Sequence, residues 1–380
     1  MRKAGDKLRR NYGYGSYHGR GGFRTFLKVV IAILAVVLVV LVAGYFFLQQ
    51  YAVVTDEGVR FEIPFFQKTP PSPSPSEPIV IESPPVIVTP TPTPEPEPEF
   101  LYQRGRLMGA DVLQKGVDAK AALEAIETPV TPIFTMKGTD GLLGYVSKLQ
   151  LAKDMRTSSA DLTLNTGAQS VNDINGGVWY NGAYIACFRD DSAPYHRNSL
   201  ALRSGGGNWR DALNTRWMSP ASADARDYVL GVCKEAMSLG FRELVLDYAA
   251  FPADDGRLGQ ITKGTAYDST TFETTVSGFY AQVREAIDLD WPVENALKPK
   301  LCIVSDKLTL DEGSSPATGQ TLAALVKYAD RIYVDLDGAD PAPYYEKLKT
   351  AGMTRPEENL VLLLQAAPVG DVPYSWAVLK

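Results

Sequence analysis

Residues 101–380 are predicted to form an α/β domain, a (β/α)8 TIM barrel, because short apolar runs alternate along this part of the chain with helical patterns. The runs are continuous and rich in aliphatic or β-branched residues, which is typical of parallel strands buried on both faces. Strands that alternate with helices form right-handed βαβ units, and eight units close a barrel. The eight predicted strands cover residues 106–111, 132–137, 183–190, 244–248, 300–306, 331–335, 359–365 and 374–379.

The helices between these strands are predicted with unequal clarity. The clearest covers residues 221–239, because Pro220 precedes it and Gly240 follows it, as is typical of helix ends. The second helix, around 170–177, is weakly marked, the seventh is nearly absent, and none follows the eighth strand. A doubly wound open sheet is therefore the alternative fold, although no Gly-x-Gly-x-x-Gly indicates a dinucleotide site. The remaining helices are predicted at 117–126, 272–287, 318–328 and 341–349.

The N-terminal region is predicted to anchor the chain in a membrane. Residues 29–48 (VVIAILAVVLVVLVAGYFFL) carry no charge and are long enough to cross about 30 Å of hydrocarbon. Residues 1–28 form a basic arm with eight Lys or Arg against one acid, so the positive-inside rule places this arm in the cytoplasm. A cleaved signal peptide is the alternative, but the apolar stretch is long and no Ala-x-Ala site follows it.

A juxtamembrane segment (49–67) and a Pro-rich linker (68–99) are predicted to separate the membrane from the barrel. Proline at nearly every second position of the linker favours extended polyproline II, which would span roughly 90 Å. On this topology the linker and the barrel are extracellular, and the spacer would carry the barrel toward a cell wall. The alternative for the tract is a Pro-rich ligand for another protein.

The composition argues against several functional classes. The net charge is −6 and the basic residues concentrate in the arm, so the domain lacks the basic face that nucleic-acid binding requires. Cys187, Cys233 and Cys302 lie in apolar runs and are expected to be buried thiols, not a disulfide framework. His18 and His196 are the only histidines, which disfavours a zinc site or a Ser/His/Asp triad. No metal or cofactor is expected.

Carboxylates at the ends of the predicted strands are the candidate catalytic residues. In a barrel, the loops after the strands converge on one mouth, where the chemistry takes place. Glycoside hydrolysis needs two carboxyl groups, one protonated and one ionised. Asp247 is expected to be the nucleophile or electrostatic stabiliser, Asp306 the acid/base, and Asp335 the next candidate. The alternatives for each aspartate are a helix cap or turn, and a ligand of a divalent cation.

Seven further residues are predicted to bind substrate. Polar and aromatic side chains near the strand ends would position a sugar, and rings in the loops would stack on its C–H faces. Ordinary packing is the alternative for each ring. The predicted substrate-binding residues are Lys137, Arg189, Asp190, Tyr248, Trp209, Trp217 and Phe251.

Two stretches of sequence resemble the putative glycosyl hydrolase domain family, a set of predicted TIM barrels in bacterial surface proteins. Residues 184–190 (YIACFRD) resemble the family's strand that ends in Phe-Lys-Asp, and Trp209 and Trp217 resemble its paired tryptophans. Residues 239–252 (LGFRELVLDYAAFP) are similar to its Phe-Asp-Tyr-Val-Arg-Phe-Pro signature, although Ala250 stands where the family has Arg. The resemblance is closest over 180–255 and implies a TIM barrel with a sugar-related role.

The sequence therefore predicts a membrane-anchored glycoside hydrolase that cleaves O-glycosyl bonds of cell-surface or cell-wall polysaccharide. A non-catalytic carbohydrate-binding barrel is the alternative, and the missing arginine at Ala250 favours it. A metal-dependent deacetylase or esterase is a third possibility, disfavoured by the shortage of histidines.

Overall fold

The computed structural model describes residues 52–55, 58–61, 101–124, 130–173, 180–290 and 298–379, which belong to two compact units, Met1–Thr93 and Pro94–Lys380. The first unit contains an antiparallel hairpin in which Ala52–Thr55 pairs with Gly58–Phe61. The predicted arm (1–28), membrane helix (29–48) and Pro-rich linker (68–99) lie outside the described residues. Within the described ranges, no helix combines the length and apolarity needed to span a membrane.

The second unit contains a closed barrel of eight parallel strands, each hydrogen-bonded to its neighbours in chain order, with β8 pairing with β1. This ring confirms the predicted (β/α)8 barrel and excludes the open sheet. Each predicted strand overlaps an observed one, and the first four observed strands begin one or two residues earlier than predicted. The strands are β1 Arg104–Met108, β2 Thr131–Lys137, β3 Gly182–Ala186, β4 Glu243–Asp247, β5 Lys300–Ser305, β6 Arg331–Val334, β7 Leu360–Leu363 and β8 Ser375–Val378.

Helices of very different lengths connect the strands. The helix before β3 lies earlier in the chain than expected, and it begins where Asp161 accepts a hydrogen bond from the backbone N–H of Thr163. Residues 364–374, between β7 and β8, contain no helix, as the sequence indicated. The helices are α1 Ala119–Glu124, α2 Gln150–Asp154, α3 Leu162–Val171, α4 Ala193–His196, α5 Ala223–Ser238, α6 Phe272–Asp290, α7 Lys307–Glu312, α8 Leu322–Tyr328, α9 Ala342–Thr350 and α10 Pro356–Asn359, with a 3-10 helix at Ala110–Asp118.

Apolar side chains fill the space between helices and barrel, and a second apolar cluster fills the barrel itself. All three cysteines are buried and free, as predicted. At the N-terminal end of the barrel, the buried carboxylate of Glu243 forms an ion pair with Arg331. The same carboxylate accepts hydrogen bonds from Gln103 (3.1 Å) and from the Tyr333 hydroxyl (3.2 Å), so the buried charge of Glu243 is satisfied within the barrel floor.

Candidate active site

Asp247 and Asp335 both face the barrel interior at its C-terminal mouth. Asp247 is the last residue of β4, and Asp335 directly follows β6. Val245 and Tyr333, two residues earlier on the same strands, belong to the cluster inside the barrel. Side chains alternate along a strand, so the two aspartates point to the same side as these residues.

The spacing of the strands brings these two carboxylates within reach of one substrate. Alternate strands contribute the side chains of one interior layer, and β4 and β6 are separated by a single strand. At about 4.8 Å per strand, the Cα atoms of Asp247 and Asp335 are about 10 Å apart. Both side chains point toward the barrel axis at the same mouth, where glycosidases place their two carboxyl groups on either side of the scissile bond.

The backbone holds both carboxylates in the same way. Oδ1 of Asp247 accepts a 2.7 Å hydrogen bond from the backbone N–H of Tyr248, and Oδ1 of Asp335 accepts a 2.9 Å hydrogen bond from that of Asp337. Tyr248 and Asp337 both have left-handed backbone angles, with φ of 50° and 53°. Such angles are unfavourable for residues other than glycine and cluster at functional sites. The unusual backbone angles of Tyr248 and Asp337 therefore occur at the two positions whose N–H groups bind the carboxylates.

Tyr184, from β3, holds the second oxygen of the Asp247 carboxylate. Its hydroxyl donates a 2.7 Å hydrogen bond to Oδ2 of Asp247, and its ring is 7% exposed. Burial, with a contribution from the neighbouring Asp247, raises the pKa of Tyr184 well above its ordinary value, so the hydroxyl stays protonated and keeps donating. Sequence reasoning missed Tyr184, although the alternation along β3 was the signal that could have placed it inside the barrel.

Asp306 does not join this pair. Its Oδ1 accepts hydrogen bonds from the backbone N–H (2.7 Å) and hydroxyl (2.6 Å) of Thr309, and its Oδ2 accepts one from the Thr318 hydroxyl (3.2 Å). Asp306 is therefore the N-cap of α7. The structure gives this aspartate the capping role that the sequence left as the alternative, and its expected acid/base function stays a prediction.

Arg189 follows the C-terminal end of β3, and Asp211 holds its side chain. The two side chains form an ion pair with 2.6 Å between Nε and Oδ2, and both residues are 8% exposed. The guanidinium group lies 5.1 Å from the ring centre of Tyr248. Trp217 donates its indole N–H to Asp211 at 3.0 Å and packs edge-on against Tyr248. Arg189 and Trp217 thus both pack against Tyr248. Asp211, which holds both of them, is a residue that sequence reasoning did not identify.

The same contacts set the charge states of this ion pair. Burial alone would raise the pKa of Asp211, but hydrogen bonds from Arg189, Trp217 and Thr215 outweigh it and lower the pKa. Burial would likewise lower the pKa of Arg189, but its hydrogen bond to Asp211 and the neighbouring Tyr248 raise it. Both groups therefore remain ionised.

Lys137 and Asp190 form a fully buried ion pair. Nζ of Lys137 lies 2.7 Å from Oδ2 of Asp190, and neither side chain has any exposed surface. Oδ1 of Asp190 accepts the backbone N–H of Ala193 at 2.7 Å, at the start of α4. Gly141 has φ of 83°, and a Cβ atom there would lie 2.1 Å from Asp190, so only glycine fits beside the pair. Lys137 and Asp190 were expected to bind substrate, but neither is accessible to a ligand.

The aromatic rings expected to stack on sugars are also buried. Trp209, Trp217 and Phe251 are 1%, 5% and 2% exposed. The two tryptophans pack against each other at 6.5 Å, and Phe251 stacks on Phe272 at 3.7 Å between ring centres. Other side chains cover the faces of these rings, so the rings pack within the loops and are not available to stack on a sugar. Tyr195 differs from these three rings, because it is 63% exposed and its ring is accessible from solvent.

A cleft of about 320 Å³ opens beside Asp335. Residues 335–339, after β6, and residues 362–365, at the end of β7, line it. Its volume is at the lower end of the range for small-molecule sites. Among the residues that the structure describes, no cluster of His, Cys, Asp and Glu is arranged to hold a metal ion.

No curated protein sequence matches the chain. Similar solved structures include a hypothetical protein from Ruminiclostridium thermocellum ATCC 27405 (22% identity over 52% of this chain and 95% of that one, TM-score 0.40). Another is the PgaB (BpsB) glycoside hydrolase domain from Bordetella bronchiseptica (14% identity over 69% of this chain and 84% of that one, TM-score 0.44). A third is a variant of the PelA glycoside hydrolase domain from Pseudomonas aeruginosa (16% identity over 58% of this chain and 81% of that one, TM-score 0.32).

The family described as "Putative glycosyl hydrolase domain" has a model that matches residues 119–332. This match covers more than half of the chain, including β2 to β5 and the Asp247 strand end. The chain therefore belongs to the putative glycosyl hydrolase domain family.

Proposed function

We propose that the barrel hydrolyses O-glycosidic bonds of a polysaccharide with Asp247 and Asp335 as the catalytic pair. The observation that carries this proposal is the inward placement of both carboxylates at the C-terminal mouth, from strands separated by one other strand. The family membership supports the same reaction class. Tyr248, next to Asp247, and Arg189, which contacts Tyr248, belong to the wall of the proposed site.

The surroundings of the two carboxylates suit different roles. Asp247 is half-buried and accepts hydrogen bonds at both oxygens, from the Tyr184 hydroxyl and the Tyr248 backbone, and such donors stabilise negative charge. We assign Asp247 the role of nucleophile, electrostatic stabiliser or base. Asp335, exposed beside the cleft, is the second carboxylate at this mouth, and we assign it the acid/base role that sequence reasoning first gave to Asp306.

The test is a hydrolysis screen of the full chain against cell-surface and cell-wall polysaccharides. Asp247→Asn and Asp335→Asn should each abolish turnover while the unfolding temperature changes little. Asp306→Asn is the matched control, because it makes the same change to a carboxylate that caps a helix, and it should retain turnover. Full activity in Asp247→Asn would refute the proposal, and the anomer released first would distinguish retention from inversion.

A non-catalytic carbohydrate-binding barrel is the second candidate. The observation that favours it is Ala250, a buried small side chain (5% exposed) at the position of the family's arginine. Binding without turnover, measured by calorimetry with oligosaccharides that the chain does not cleave, would support this candidate. In that case Asp247→Asn would weaken binding without any change in product formation.

We further propose that the barrel is held at the outer face of the cell membrane. The uncharged stretch 29–48, the basic arm before it and the Pro-rich tract after it support this topology. Protease added to intact cells should remove the barrel and leave the arm, and recovery of the chain in the soluble fraction would contradict the anchor.

A further inference from the structure

The outer face of β8 and β1 lines a groove of about 660 Å³, here called the β8–β1 groove. Helices normally cover the outer faces of a TIM barrel. Among the described residues, no helix follows β8 and none joins β7 to β8. Residues 365–368 and Gly370, from the loop after β7, form the rim of the groove. Strand side chains and the loop between β7 and β8 therefore line the groove.

The chemistry of the groove is apolar with a positive edge. Trp376 and Val378 of β8 lie beside Arg104 and Arg106 of β1. Arg104 forms an ion pair with Asp371 at the rim. Arg106 is exposed and has no ion-pair partner among the residues that the structure describes. A groove with an apolar wall and basic residues at its edge suits a proline-rich segment that carries carboxylates.

We propose that residues 94–100 (PEPEPEF) of the same molecule bind in the β8–β1 groove. This segment directly precedes the barrel and combines three prolines with three glutamates and one phenylalanine. Polyproline II has three residues per turn, so each of the three faces of this segment carries at least one glutamate. Any face turned toward the groove brings a carboxylate to the arginines, and Phe100 adds an apolar contact.

The point where the described chain begins supports this occupant. The backbone N–H of Leu101 donates a 2.8 Å hydrogen bond to Oε1 of Glu358, in the short helix α10 that precedes β7. The downstream end of the segment is therefore fixed at the N-terminal end of the barrel, near the strand that precedes β8. Seven residues of polyproline II extend about 22 Å, and the five residues of β1 extend about 17 Å, so the segment can run the full height of the groove.

Disulfide trapping in the full chain tests the proposal, because the three native cysteines are fully buried. Glu95→Cys is paired with Ala367→Cys, on the groove rim, and in a second protein with Val369→Cys. Val369 is the matched control, since it lies two residues away in the same loop but is fully exposed and does not line the groove. The intramolecular disulfide should form severalfold faster with Ala367→Cys than with Val369→Cys.

Arg106→Glu, added to the Ala367→Cys protein, should reduce this preference by up to about fivefold, the factor that one exposed ion pair can supply. Equal rates for the two cysteine pairs, or no response to Arg106→Glu, would overturn the proposal. Disulfide-linked dimers in place of the intramolecular product would identify a second molecule as the occupant. Turnover is not part of the readout, so the outcome is independent of the proposed hydrolysis.

Discussion

The Tyr184 hydroxyl donates a 2.7 Å hydrogen bond to Oδ2 of Asp247 from the neighbouring strand of the barrel. The ring of Tyr184 belongs to the apolar cluster inside the barrel, whereas Asp247 lies at the end of its strand, at the mouth. The hydroxyl orients a carboxylate that the Tyr248 backbone already holds at its other oxygen. The proposed reaction therefore depends on a residue that need not touch the sugar.

Tyr184→Phe should lower kcat/KM by about 10- to 100-fold, because it removes a hydrogen bond to a charged group while keeping the ring. We expect most of the loss in kcat, since the orientation of Asp247 matters most in the transition state. Steady-state kinetics on a cleaved polysaccharide provide the measurement. Tyr333→Phe is the control, because it removes a hydroxyl from another interior ring whose partner is Glu243 in the barrel floor. Equal losses in both variants would assign Tyr184 a purely structural role.

Asp306→Ala should reduce the free energy of unfolding by about 1 kcal/mol, the usual effect of losing an N-cap. The expected cause is the loss of the hydrogen bonds from Thr309 at the start of α7. Urea denaturation measures this change, and the remaining folded protein should keep its turnover. Loss of turnover at unchanged stability would return Asp306 to the catalytic group.

Asp211→Asn should make the barrel less stable at neutral pH and less sensitive to acid. Asp211 has a lowered pKa in the folded state, so its contribution to stability is present above its ordinary value of 3.8 and is lost as the pH falls through the lower, folded value. The free energy of unfolding should therefore differ less between pH 7 and about pH 2.5 for the variant than for the native chain. Asp191→Asn is the control. Its side chain is 42% exposed and also pairs with arginines, so solvent weakens its effect.

Lys137→Met should destabilise the barrel by about 3–5 kcal/mol, because it leaves the Asp190 carboxylate buried without its partner. The double variant Lys137→Met with Asp190→Asn should lose less than the sum of the two single variants. Denaturant unfolding of the four proteins in this cycle gives the coupling energy. Strict additivity would mean that the pair contributes nothing as a pair.

The strands were predictable because their local signal and their environment agree. The run Leu244–Leu246 is apolar throughout and is 0% exposed on both faces of the barrel wall. The seventh connection was also correctly predicted to lack a helix. The helix between β2 and β3 was placed too late in the chain, since its start depends on the side-chain cap of Asp161.

The candidate site was less predictable, because its residues depend on which way a side chain turns after the strand ends. Asp306 and Asp335 look alike in sequence, each directly after an apolar run. Thr309 lies where the backbone N–H and hydroxyl both reach Asp306 and turn it into a cap, whereas the turn after Asp335 leaves that carboxylate exposed at the mouth. Trp209 and Trp217 were likewise not predictable as buried residues. They pack against each other in the folded chain, and a local sequence pattern does not contain such a tertiary contact.

The Glu243–Arg331 pair and its hydrogen-bonded neighbours seal the base of the ring. Above them, Ile133, Val245 and Val361 occupy the lumen with no solvent-accessible surface. In the proposed reaction, a glycan would therefore approach Asp247 from the C-terminal mouth and could not thread through the ring. The polysaccharide would lie across this mouth, and its products would leave from the same side.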